Sequence, residues 1–162
     1  KNIDLERVYM VGYSNGGMMS YAMACHKSNL IAAIASISGT MLYISNCEPN
    51  RSIPLLNIHG TADPTLPYNG NDYYNSVDAT LNFWNTNNNS DPTPNSILLN
   101  TNLNNIQFFG YSNSDRIAVD HYKIINGSHV WFDINVDGKN TSELVWDFFS
   151  KFDINGRIET NQ

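Results

Sequence analysis

The sequence predicts an α/β fold: a mostly parallel sheet with flanking helices and an antiparallel hairpin. Two observations carry that prediction. Short apolar runs rich in β-branched residues each stop at a glycine or a polar turn, and segments with helical character separate several of them. The hairpin comes from two such runs separated only by Ser112-Asn113-Ser114-Asp115.

Taken in order, Arg7-Val8-Tyr9-Met10-Val11 reads as a buried strand, and Met18 to Cys25, rich in Met and Ala without proline, as a buried helix. Ile31 to Ser38 is a second apolar run, ended by Gly39, and Ile53 to His59 is a third, ended by Gly60. A polar loop then runs to Asn71. A helix near Val77 to Asn85 follows, with Val77, Leu81 and Trp84 on one face. Thr86 to Asn105, rich in Asn, Pro and Ser, reads as a surface excursion, and its asparagines as loop composition. Ile106 to Tyr111 and Ile117 to Ile125 are the hairpin strands. An amphipathic helix carrying Leu144, Val145, Phe148, Phe149 and Phe152 closes the chain, with Ser142 or Thr141 as its N-cap. No internal repeat is visible.

Composition limits the function. The 162 residues suffice for one domain with a core, and 41% hydrophobic content marks a globular chain. A net charge of −6 without a basic stripe argues against nucleic acid as a partner. No apolar run approaches the ~18 residues of a membrane span. Cys25 and Cys47 permit one disulfide without requiring it, and a buried free thiol would also suit Cys25 in its apolar helix.

The chemistry begins at Gly12-Tyr13-Ser14-Asn15-Gly16, set between a strand and a helix. This is the Gly-x-Ser-x-Gly elbow, in which glycines relieve a tight turn that lifts a serine hydroxyl above the sheet edge. A chance glycine-rich turn is the competing reading, and a serine alone does nothing without a base. Parallel sheets place their chemistry at the carboxyl ends of strands. His59-Gly60-Thr61-Ala62-Asp63-Pro64 puts Asp63 past one such end, and Asn126-Gly127-Ser128-His129 puts His129 past another. Either residue alone would be ordinary turn chemistry. Together, Ser14, Asp63 and His129 follow the chain order of α/β-hydrolases: nucleophile, acid, base. His26, at a helix end, His59, before a glycine turn, and His121, within a strand, are less well placed as the base.

These stretches also carry a family resemblance. RVYMVGYSNGGMMSYAMAC, IPLLNIHGTADPTLPYNG, SVDATLNFWNTNN, GSHVW and ELVWDFFSKF together resemble the polyhydroxybutyrate depolymerase/feruloyl esterase family of secreted α/β-hydrolases. The resemblance implies Ser14 as nucleophile, Asp63 as acid, His129 as base and the Asn15 backbone N–H as an oxyanion-hole donor. It implies an ester substrate (a polyester, or feruloyl or acetyl esters of plant polysaccharide), no cofactor, and a secreted or periplasmic location. The family's glycine before the histidine and Trp-Pro-Gly after it are here Ser128 and Trp131-Phe132-Asp133, which alters the rim of the cleft. A cysteine that members often carry after the Trp84-type helix is replaced by asparagines. Trp131 is assigned to the substrate cleft, with packing beneath the loop as the competing reading.

Two further expectations follow. The family's nucleophile strand is central, so residues 1–162 are expected to be the C-terminal portion of one catalytic domain. Val8 to Tyr13 should then be an exposed edge, and the isolated chain inactive for want of a second oxyanion donor. Asp133-Ile134-Asn135-Val136-Asp137-Gly138 begins like a calcium loop, but Glu143 comes one residue early and Asn140 fills an apolar slot, so an Asx-rich turn is preferred and no metal is expected. A serine peptidase of the same fold and a non-catalytic module are the alternative functions.

Overall fold

The computed structural model describes residues 2–100 and 105–159. Its elements are β1 (Tyr9–Tyr13), α1 (Asn15–His26), β2 (Ala33–Ile37), β3 (Leu55–Gly60), α2 (Val77–Asn87), β4 (Asn95–Asn100), β5 (Asn105–Ser112), β6 (Ala118–Ile124), α3 (Thr141–Phe149), β7 (Phe152–Asp153) and β8 (Gly156–Arg157). Six strands form one sheet in the order β1-β2-β3-β6-β5-β4. The pairs β1–β2, β2–β3 and β3–β6 are parallel, while β5–β6 and β4–β5 are antiparallel. The expected hairpin is therefore β5–β6.

Every residue of β2 and β3 is buried, because helices cover both faces of the sheet. Alternation along the strands separates two cores. Ile34 and Leu55 pack with Tyr21, Leu81 and Trp84 of α1 and α2. Ala33, Ala35, Ile37, Leu56 and Ile58 pack with Val145, Phe148 and Phe149 of α3. The edge strand β1 leaves Val11 and Tyr13 exposed, while Tyr9 stacks on Phe149.

The Asn-rich stretch is more ordered than its composition suggests. Residues 101–104 of the expected excursion lie outside the described residues, but Asn95–Asn100 forms β4 rather than a loop. Its Ile97 and Leu98 stay exposed, so pairing with the free edge of β5, not burial, makes the strand. α2 also runs past Asn85 to Asn87, and Asn88 is a buried tie rather than a loop residue. The Asn88 Oδ1 accepts from the Ile53 N–H at 2.8 Å, and its Nδ2 donates to the Ile53 carbonyl at 2.7 Å. A side-chain amide thus does there what a neighbouring strand would do.

The N-cap of α3 lies one residue before Thr141 and two before Ser142, the two expected positions. Asn140 caps it, accepting from the Glu143 N–H at 3.1 Å while Glu143 accepts from the Asn140 N–H at 2.8 Å, a reciprocal capping box. The helix stops at Phe149, so Phe152 is not helical; it lies buried in the β7–β8 hairpin, which turns at Ile154-Asn155 and where Gly156, opposite Asp153, has a φ of +122°. Asp137 and Gly138, with φ of 53° and 80°, form a two-residue turn closed by paired bonds between Val136 and Lys139.

Cys25 is not a free thiol. It is bonded to Cys47, tying the end of α1 to the segment after a 3-10 turn at Ile44–Asn46. Closing a loop of this length restricts the unfolded chain by about 3 kcal/mol in the chain-entropy account.

Candidate active site

Three strand ends build the site. Ser14 lies between β1 and α1 with φ 53° and ψ −116°, a left-handed conformation that an L-residue adopts only when its surroundings impose it. The Ser14 N–H donates to the Ile37 carbonyl at 2.9 Å, and the Ser14 carbonyl accepts from the Met18 N–H at 3.1 Å, so sheet and helix both fix the turn. Gly12 makes the turn sterically possible: a Cβ there would stand 2.1 Å from the carbonyl carbon of Gly16. Gly16 itself has open space where a Cβ would go, so its own lack of a side chain is not what the turn requires. That corrects the sequence reading, which treated both glycines alike.

Asp63 follows β3 in a turn closed on its own carboxylate. Its Oδ1 accepts from the backbone N–H groups of Thr65 and Leu66, each at 2.8 Å. Its Oδ2 stands 2.7 Å from His129 Nδ1, and His129 Nε2 stands 2.9 Å from Ser14 Oγ. The buried carboxylate places the imidazole proton on Nδ1, which leaves Nε2 as acceptor for the Ser14 hydroxyl. The structure therefore brings Ser14, His129 and Asp63 into one hydrogen-bonded row.

The loop carrying His129 has no regular structure, so neighbouring elements hold it. The Tyr13 hydroxyl donates to the His129 carbonyl at 3.0 Å, and the Ser38 hydroxyl donates to the Val130 carbonyl at 2.9 Å. The sequence reading assigned neither residue a role, and only the x position of Tyr13 in the elbow motif could have drawn attention to it. Asn15, the first residue of α1, directs its N–H at the positive end of the helix, where an anion is favoured. Trp131 is 43% exposed, whereas Phe132 is the buried aromatic beneath this loop.

Of the rival histidines, His26 sits exposed in the last turn of α1. His121 is buried, its Nε2 2.9 Å from the Tyr68 hydroxyl, and burial lowers its pKa to about 3. His59 is fully buried beside Asp63, and burial lowers its pKa as well.

A separate cleft of about 580 Å³ lies past the opposite ends of β3 and β6, lined by Arg51, Arg116 and Arg157. Two of its cations have polar partners: Arg51 donates to the carbonyls of Ser28, Ile31 and Ser52, and Arg116 pairs with Glu159; Arg157 lies over the Phe152 ring. Among the described residues no cluster of His, Cys, Asp or Glu could hold a metal ion, and no helix is long and apolar enough to cross a membrane.

Comparison with known proteins bears on the family and the fold. A probable feruloyl esterase C of Aspergillus flavus is 42% identical over 69 residues, covering 42% of this chain and 25% of that protein. A bifunctional acetylxylan esterase/xylanase of Neocallimastix patriciarum is 40% identical over 67 residues, covering 41% of this chain and 10% of that protein. The aligned stretches thus span a quarter or less of these relatives. An acetyl xylan esterase from Aspergillus awamori superposes with a TM-score of 0.64 at 16% identity, over 91% of this chain and 60% of that one. The fold is the α/β-hydrolase fold. A family model described as Phospholipase/Carboxylesterase matches residues 1–111, which include the serine elbow and the Asp63 turn. Because that match takes in 111 of its 162 residues, the chain belongs to the phospholipase/carboxylesterase family.

Proposed function

We propose that this protein is a serine carboxylic-ester hydrolase acting on feruloyl or acetyl esters of plant polysaccharide, through an acyl-enzyme. The observation that carries the reading is the row from Ser14 Oγ through His129 to Asp63, with contacts of 2.9 and 2.7 Å. In the proposed reaction His129 Nε2 takes the hydroxyl proton as Ser14 Oγ attacks the ester carbonyl. The negative charge that develops on the carbonyl oxygen faces the Asn15 N–H at the start of α1. Collapse expels the alcohol, which takes its proton from His129. Water then enters, loses a proton to the same nitrogen and releases the acid. Asp63 stays ionised throughout, holding the imidazole and stabilising its charged form.

The substrate class rests on the names of the matched relatives, which are feruloyl and acetylxylan esterases. Plant-polysaccharide esters are therefore preferred over polyesters as substrates. The described residues are assigned to one catalytic domain, since the three groups lie past the ends of three strands of one sheet. A secreted or periplasmic location accords with the Cys25–Cys47 bridge, because disulfides persist in oxidising compartments.

The test compares the full gene product with its Ser14→Ala variant on methyl ferulate, acetylated xylan and a fluorophosphonate probe. The parent should hydrolyse at least one ester and label at Ser14. The variant should lose labelling and at least about 1,000-fold in turnover, while keeping its circular dichroism spectrum. Hydrolysis near the parent rate by the variant would place the nucleophile elsewhere.

A further inference from the structure

We propose that His59 is a positioning residue, which holds the Asp63 carboxylate in line with His129. This rests on the hydrolase reading above and adds a fourth residue to its relay. His59 lies within β3 one residue before its end and is fully buried. Its Nε2 is 2.9 Å from the Leu66 carbonyl and 3.3 Å from Asp63 Oδ2, the same oxygen that His129 approaches. The Leu66 carbonyl can only accept, so the His59 proton sits on Nε2 and points at the Asp63 turn. Nδ1 is then bare and buried without a well-aligned partner, with the Gly39 backbone also beside the ring.

Leu66 makes this arrangement more than packing. Its N–H donates to Asp63 Oδ1, while its carbonyl takes the His59 proton. One residue therefore links His59 to the far oxygen of the carboxylate, and His59 faces the near oxygen directly. Rotation of the carboxylate away from His129 would have to break the Thr65 and Leu66 contacts on Oδ1 and carry Oδ2 away from His59 Nε2, 3.3 Å off, whose proton goes to the Leu66 carbonyl. The ionisable groups around His59 are Asp63 on the following turn, His129 on the loop after β6, His121 on β6 itself and Tyr68, whose ring meets it edge-on. Of these only Asp63 is a carboxylic acid, so it supplies the one attractive charge beside the His59 ring, while the His59 N–H bonds to the Leu66 carbonyl.

The contact uses Nε2, and that choice selects the variants. In His59→Gln the amide nitrogen can occupy the Nε2 position, whereas the shorter His59→Asn cannot reach Leu66. In the full gene product, His59→Asn should lower kcat about 10- to 100-fold with KM within about threefold, less than the ~10⁴-fold that follows loss of a functional acid partner. The acid limb of kcat/KM against pH should move to lower pH, because an imidazolium that has lost part of its carboxylate contact forms less readily. His59→Gln should restore kcat to within about fivefold of the parent and return the limb.

A readout independent of turnover is the downfield proton resonance of His129 Nδ1–H. It should be present in the parent, broadened by faster exchange in His59→Asn and sharp again in His59→Gln. A parent that shows this resonance but hydrolyses no ester would remove the hydrolase reading, while the resonance in the variants still reports on His59. His59→Asn with the parent's kcat, pH limb and resonance would overturn the proposal. So would a Gln variant no better than the Asn variant. Failure of both variants to fold would also overturn it, since the residue would then serve the fold rather than Asp63.

Discussion

Gly60 and Gly127 meet backbone against backbone: a Cβ on Gly60 would stand 2.2 Å from the Gly127 carbonyl oxygen and 2.4 Å from its carbonyl carbon. That approach brings the turn after β3 against the loop after β6. The Ala62 N–H donates to the Gly127 carbonyl at 2.9 Å, and the Asn126 N–H donates to Thr61 Oγ1 at 2.8 Å. Asp63 and His129 meet because these two short segments are bonded together just beneath them.

Gly60→Ala should therefore separate the acid from the base. The clash is with backbone that is itself hydrogen-bonded, so no side chain can swing aside to relieve it. Since a misplacement of about 1 Å can cost 100-fold in rate, kcat should fall by at least about that factor. Steady-state kinetics and a thermal melt on the same sample check this. An alanine variant with parental kcat would mean that the loops slide without disturbing the row.

The two elbow glycines should behave differently. Gly12→Ala forces a Cβ to 2.1 Å from the Gly16 carbonyl carbon and should leave little folded protein. Gly16→Ala meets nothing within 4 Å and lies in α1, so it should raise stability by about 0.5–1 kcal/mol. Urea unfolding of both variants decides the point, and a destabilised Gly16→Ala would show that the site constrains this position in some other way.

Trp131 should matter for aromatic esters alone. The buried Phe132 already supports the loop from below, which frees the half-exposed Trp131 ring to meet a substrate. An offset aromatic stack contributes about 0.5–1.5 kcal/mol, so Trp131→Ala should lower kcat/KM on methyl ferulate by about 2- to 10-fold. Hydrolysis of an acetyl ester should not change. Equal values on both esters for variant and parent would remove Trp131 from the cleft.

What could be read from the sequence, and what could not, follows from the range of the interactions. β2 and β3 announce themselves because both faces of a parallel strand are buried, which leaves near-continuous apolar runs; β1 reads as apolar too, although it is the edge strand and leaves Val11 and Tyr13 exposed. The elbow, and the placing of Asp63 and His129 past strand ends, were legible because glycines and polar residues interrupt those runs. β4 was not, because Asn95 to Asn100 has poor strand propensity and pairs only because β5 offers an edge. Asn88 was hidden for a similar reason: its partner is Ile53, 35 residues earlier, and nothing local separates it from its asparagine neighbours. Cys25 and Cys47 could be counted but not paired, since pairing depends on where the segment after β2 runs relative to α1. Ser38, which holds the His129 loop through the Val130 carbonyl, leaves no local signature, and Tyr13 leaves only its place in the elbow motif.

The α3 face of the sheet should make stability depend on pH with a sign opposite to that of the interior histidine. Asp120 of β6 lies beside Leu56 among α3-side residues, and burial raises its pKa from 3.8 to about 6 despite the nearby Lys151 and Arg157. The folded state therefore holds this proton more tightly than the unfolded chain, and the protein loses stability as pH rises from about 4 to 6. His121, next in sequence and facing the other core, is lowered from 6.5 to about 3 by burial. There the unfolded chain binds the proton more tightly, so stability is lost as pH falls below about 6.5. The two effects oppose each other between about 4 and 6 and separate at higher pH, where His121 is neutral in both states and Asp120 is ionised in both. Asp120→Asn should therefore gain up to about 3 kcal/mol over the parent at pH 7.5, the linkage equivalent of a two-unit shift. At pH 3.5, where Asp120 is protonated in the folded state, the gain should largely vanish. Urea unfolding of parent and variant at the two values tests this, and a gain that is the same at both would mean that Asp120 does not titrate as its burial requires.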